Sequence, residues 1–162
     1  MSRTEPTADL ERGAHDIVAP TGPVVTQIYE YWQKKRGPRR MPRRADIDPV
    51  ELGRLVHNVV LYDVEGEGQF RVRVVGGAIV DFYGVNTTGQ MAGTYMPPAA
   101  AALAIEILSN IVATRAPRFR AGLAHWHKDK SYRRFEACFL PLSPDDDRVD
   151  KILVGIEFDS SG

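Results

Sequence analysis

The chain has few side chains able to act as ligand, acid or base: His15, His57, His125 and His127, one cysteine, Cys138, and scattered tyrosines and carboxylates. His125-Trp126-His127, set on a strand, would place two imidazoles on one side, near enough to share a metal ion. Two ligands do not make a site, and only Asp129 stands close by to add a third, so no metal is expected. The pair reads instead as the polar end of a hairpin, able to change charge near neutral pH. Asp81 and Tyr83 would supply an acid and a phenol to an apolar pocket, the inventory of a small isomerase or dehydratase. On one helix, however, residues two apart point in different directions. The sequence contains no nucleophile elbow, no zinc-binding HExxH and no phosphate-binding GxxxxGK loop. Gly76-Gly77 lacks the third glycine of a dinucleotide fingerprint. Enzyme chemistry therefore ranks behind binding.

A second candidate for chemistry is the segment Lys34 to Arg44, with seven basic residues and no acidic one. Arg39, Arg40, Arg43 and Arg44 form two Arg-x-x-x-Arg pairs, and guanidinium groups grip phosphates through paired hydrogen bonds. This resembles the arginine half of cyclic-dinucleotide binding in PilZ domains, but the strand motif that completes it is missing. The expectation is a solvated basic linker open to an anion or a partner protein, with Arg44 tied to Asp46 or Asp48. Alanine at Arg39 and Arg40 should then leave thermal stability nearly unchanged.

Composition sets the frame. With 162 residues the chain suits one domain, and 21 basic against 21 acidic residues give no general attraction to nucleic acid or anionic membrane. A single cysteine rules out an internal disulfide and fits a reducing compartment, so a cytoplasmic location is expected. No run is long enough for a signal peptide or membrane insertion.

The elements follow from periodicity. Residues 1–20 are polar and aperiodic and are expected to form a disordered tail. Pro23 then opens a helix that Gly37-Pro38 closes, with Val25, Ile28, Tyr31 and Trp32 on one apolar face. A linker leads to Asp48-Pro49-Val50-Glu51, a start signal for a short helix ending near Leu55. Together these make an N-terminal unit over 21–55. From 56 to 158 two strands form a hairpin about a glycine-rich turn, Gly76-Gly77 ends it, and a short helix runs from 78 to 83. Pro97-Pro98 opens the longest helix. Three strands follow, beginning at Arg118, Tyr132 and Lys151. The fold class is α+β: a five-stranded antiparallel sheet with helices inserted between strands 2 and 3 and lying on one face, preceded by the amphipathic helix.

The order and spacing of EYWQKKRGPRRMPRRADIDPVELGRLVHNVVLYDVEGEGQFRVRVVGGAIVDFYG resemble a stand-alone PAS-like family of alphaproteobacteria, over roughly residues 25 to 158. The resemblance implies a regulatory sensor or adaptor of bacterial signalling that acts in trans on a signalling protein, with a pocket between sheet and helices open to a small-molecule ligand. Phe82, Tyr83, Tyr95, Leu103, Ile107, Phe119 and Phe135 are the residues expected to face that pocket. Val25, Ile28, Tyr31 and Trp32 are the candidates for a homodimer contact, the alternative being that this face packs on its own domain. The flavin-binding relatives carry a cysteine motif where this chain reads NTTGQM, and haem-binding relatives carry a histidine on the long helix, which is lacking here; neither cofactor is expected. Alternatives are a small-molecule or cyclic-dinucleotide binding protein and, third, a small isomerase-like enzyme.

Overall fold

The computed structural model describes residues 13–159 apart from Trp126, Lys128 and Ser131. Its elements are β1 (Ala14–Ile17), α1 (Pro23–Arg36), α2 (Pro49–Leu52), β2 (Val59–Gly66), β3 (Gln69–Val75), α3 (Gly77–Tyr83), α4 (Pro98–Thr114), β4 (Arg118–Leu123), β5 (Arg134–Leu142) and β6 (Lys151–Phe158). The strands form one six-stranded sheet in the order β1-β4-β5-β6-β2-β3, every pair antiparallel. The two middle strands, β5 and β6, come last in the sequence, so the centre of the sheet is supplied by the C-terminal part of the chain.

Two features differ from expectation. Residues 14–17 are not tail: Ala14, His15, Asp16 and Ile17 pair with Gly122, Ala121, Arg120 and Phe119 and extend the sheet by an edge strand. Residues 1–12 of the expected tail lie outside the described residues. The sheet is also covered on both faces. Helices α3 and α4 lie on one side, while α1 crosses the other and packs on β5 and β6. Val25, Ile28 and Trp32 are buried there, with Cys138, Leu140, Leu142 and Leu153 in the same core. The apolar stripe of α1 is thus buried within its own chain, and these residues cannot also form an exposed dimer surface. Trp32 anchors it, its indole N–H donating to the Pro141 carbonyl at 2.9 Å. Tyr31 sits at the rim, where its hydroxyl accepts from the Asp48 amide and donates to Glu51.

The start of α1 is held by the sheet. Glu136 and Glu157 are directly opposite across β5 and β6, an arrangement of like charges that would ordinarily destabilise the pair. The helix N-terminus resolves it: the Thr21 and Gly22 amides donate to Glu136 and the Val25 amide donates to Glu157. The two carboxylates answer the unpaired amides and the positive end of the helix dipole. Gly22 is the N-cap, and a Cβ there would fall 2.1 Å from the Glu157 carboxylate.

Close backbone approach explains two more glycines. At Gly76 a Cβ would lie 2.3 Å from the His57 carbonyl oxygen, so the hairpin can turn into α3 beside the helical turn at Gly53–Asn58 only without a side chain. At Gly155 it would lie 2.8 Å from Ile28, so this gap in β6 is what admits α1. The expected short helix stops at Leu52 and tightens into that 3-10 turn, which delivers the chain to β2.

Candidate ligand pocket

Between the sheet and α3, α4 and their connecting segment lies a cavity of about 120 Å³. Alternation along the strands brings Val60 and Tyr62 of β2, Phe135, Ala137 and Phe139 of β5, and Val154 and Ile156 of β6 to this face. Helix α3 adds Ile79 and Tyr83, and α4 adds Ala100, Leu103 and Ile107. The small residues Ala100, Ala104 and Ala137 are what leave room, since larger side chains at the same places would fill it.

Three tyrosines converge on the cavity. The Tyr62 and Tyr95 hydroxyls are 3.3 Å apart, and the rings of Tyr83 and Tyr95 meet edge to face with centroids 5.3 Å apart. Desolvation, followed by the neighbouring Tyr95, pushes the Tyr62 phenol well above its ordinary pKa. Desolvation also raises Tyr95, and hydrogen bonds from Tyr62 and Thr87 pull it partly back. Both remain neutral phenols, able to donate one hydrogen bond and accept others. Arg120 is the charged member of the lining among the described residues. It is buried, and its Nη1 donates to Asp16 Oδ1 of β1 at 2.9 Å. The described lining therefore offers an apolar body, hydroxyls and a cation, a set suited to binding and orienting a small molecule.

Of the residues expected here, Tyr83, Tyr95, Leu103, Ile107 and Phe135 line the cavity. Phe82 and Phe119 do not. Phe82 is buried beside it and stacks on Phe158 with centroids 3.9 Å apart. Phe119 faces the opposite side of the sheet, edge-on to Tyr29 of α1 at 4.8 Å. In the run Arg118-Phe119-Arg120 the apolar residue suggests the inward phase, but a sheet covered on both faces has two insides. The same misreading hid Arg120, and treating residues 1–20 as tail hid its partner Asp16. Tyr62 follows from the alternation of β2 once Val60 is placed inward.

The remaining candidates lie elsewhere. Arg39 is not a solvated charge: it donates to the carbonyls of Lys35 and Arg36 and to Asp46. Arg44 donates to the Ile47 carbonyl, not to Asp46 or Asp48. Arg40 and Arg43 are exposed, and their amides are held by Asp146 and Asp46. His125 and His127 follow the end of β4, in a loop and not on a strand, with Trp126 outside the described residues. His127 Nδ1 accepts from the amides of Asp129 and Lys130, each at 3.0 Å, which occupies that nitrogen. Among the described residues no three His, Cys, Asp or Glu side chains are grouped to hold a metal.

A protein-family model described as a PAS domain matches residues 21–156. The chain belongs to the PAS-domain family. A PAS domain from Bordetella pertussis BvgS shares its fold with a TM-score of 0.53 and 21% identity, over 71% of this chain and 89% of that one. Comparison with curated protein sequences found no match. PAS domains are sensor-type signalling modules, and in this chain the cavity lies between the sheet and α3–α4, with β1 adding a strand beside it. Among the described residues no helix is long and apolar enough to cross a membrane.

Proposed function

We propose that this PAS domain is a ligand-responsive regulatory module that delivers its output in trans, through contacts with a signalling protein. The observation that carries the reading is the cavity: about 120 Å³, ringed by apolar side chains and supplied with buried hydroxyls and a buried guanidinium. A core that needed only stability would be packed closed, because a void loses dispersion contacts on its walls. A ligand that binds one arrangement of α3 and α4 better than another shifts the population between them, and with it the surface offered to a partner. The stripe of α1 is buried against the sheet, so that partner contact uses other surfaces.

The test is a thermal shift with benzene as a neutral probe, on the wild-type chain and on Ala137→Phe. Filling a site bound only in the folded state raises the melting temperature as ligand concentration climbs past Kd. The wild type should be stabilised and the filled variant should not. No shift in the wild type would count against an accessible pocket. For the output, the proteins that co-purify with the two forms from the native host should differ; identical sets would count against ligand-controlled partner choice.

A further inference from the structure

Arg120 has more hydrogen-bonding capacity than its surroundings satisfy. Its side chain is 7% exposed, and strand register places it opposite Asp16 on β1 and Ala137 on β5. Nη1 is paired with Asp16, whereas Nη2 is buried with no hydrogen-bond partner among the described residues. A buried lysine or histidine could shed its proton, but a guanidinium stays charged. An unpaired donor on a buried cation carries a full desolvation penalty, so such a group is found where something completes it.

Asp16 does not supply the missing charge. Both of its carboxylate oxygens also accept from Arg118, at 3.0 and 3.2 Å. Two guanidinium groups thus share one carboxylate, leaving one positive charge over. Among the described residues the cavity lining contains no Asp or Glu to balance it, and Glu136, the buried acid on the neighbouring strand, faces α1 on the other side of the sheet.

We propose that the cavity takes a small organic carboxylate, its apolar body among the aliphatic and aromatic walls and its carboxylate on Arg120 Nη2. The proposal deepens the sensor reading and rests on it. The volume sets the size: a dry engineered cavity of about 150 Å³ holds benzene, so about 120 Å³ suits a body of about four to seven carbons. A dicarboxylate would place a second charge against apolar walls with no second cation among the described residues, which disfavours it.

Calorimetric titration of the full chain with hexanoate and benzoate, beside hexanamide and benzamide, separates charge recognition from shape. The acids should bind on the order of tenfold to a hundredfold more tightly than their amides, the span of a charge-assisted hydrogen bond. Arg120→Met should erase that ratio, and Arg118→Met, which removes the surplus charge but leaves Nη2 unpaired, should lower it without erasing it. If the methionine variant fails to fold, the acid-to-amide ratio in the wild type decides alone. Equal binding of acids and amides, or benzene binding without acid binding, would overturn the carboxylate while keeping the pocket. No binding of acid, amide or benzene would overturn both.

Discussion

Arg39 shows how a charged residue in a linker becomes part of the frame. The last carbonyls of a helix have no partner within it, and in α1 those of Lys35 and Arg36 accept from the Arg39 guanidinium, which also reaches Asp46 at 2.8 Å. One side chain thereby closes the C-terminal end of α1 and ties it to the turn at Arg44–Asp46. Arg39→Ala should cost about 1–2 kcal/mol in urea denaturation, whereas Arg40→Ala, on an exposed side chain, should stay within about 0.5 kcal/mol. The expectation that both would be neutral came from charge density alone, and a run of arginines does not disclose which member finds carbonyls. Arg120 makes the same point in the opposite direction. Flanking a phenylalanine on a strand, it has the pattern of a surface residue, and it is buried because two layers of helix cover the sheet.

At the scale of elements, helix and strand positions were legible and layer assignment was not. The hairpin partner β3 (69–75), the last strand β6 (151–158) and the proline-opened starts of α1 and α4 stand where periodicity, glycine and proline put them. Which face each element covers depends on long-range pairing that a local pattern does not carry, so the stripe of α1 leaves open whether it packs on its own sheet or on a second copy, and residues 14–17 do not announce their pairing with β4. The docking of α1 has a specific test. Glu136 accepts the Thr21 and Gly22 amides and the Thr21 hydroxyl, so Glu136→Ala should cost about 2 kcal/mol, read as a lower urea midpoint. Gly155→Ala should cost about 1–3 kcal/mol by overpacking, because the added methyl would meet Ile28 and Cys138 within 3 Å.

The docking of β1 has a pH signature. Burial raises the Asp16 carboxyl, but hydrogen bonds and charge from Arg118 and then Arg120 outweigh that and hold it below its ordinary value. An acid with a folded-state pKa below the unfolded one stabilises the fold above the unfolded value, and that contribution is lost as pH falls through the folded value. Hydrogen-exchange protection at the amides of Ala14–Ile17 should therefore hold from neutral pH down to about pH 4 and fall below it. Asp16→Asn should show reduced protection throughout with the acid step removed; an unchanged step would assign it to another group.

On the scale of the whole molecule, the question is whether α1 and the sheet open together. Cys138 lies between them, in the middle of β5, fully buried, and desolvation pushes its thiol up to about 12. A thiol reagent attacks only thiolate, so at mildly alkaline pH the folded protein should be almost inert and labelling should report opening of the α1–sheet layer. If α1 is an integral layer, as the burial of Val25, Ile28 and Trp32 and the clamp from Glu136 and Glu157 require, labelling should carry the denaturant dependence of global unfolding. A helix that detaches to pair with a second copy would instead expose Cys138 in a local opening, with weak denaturant dependence and a rate that changes with protein concentration. The first outcome makes the sheet with both helical layers one cooperative body, through which occupancy on the α4 side could reach the α1 side across a single thickness of strand.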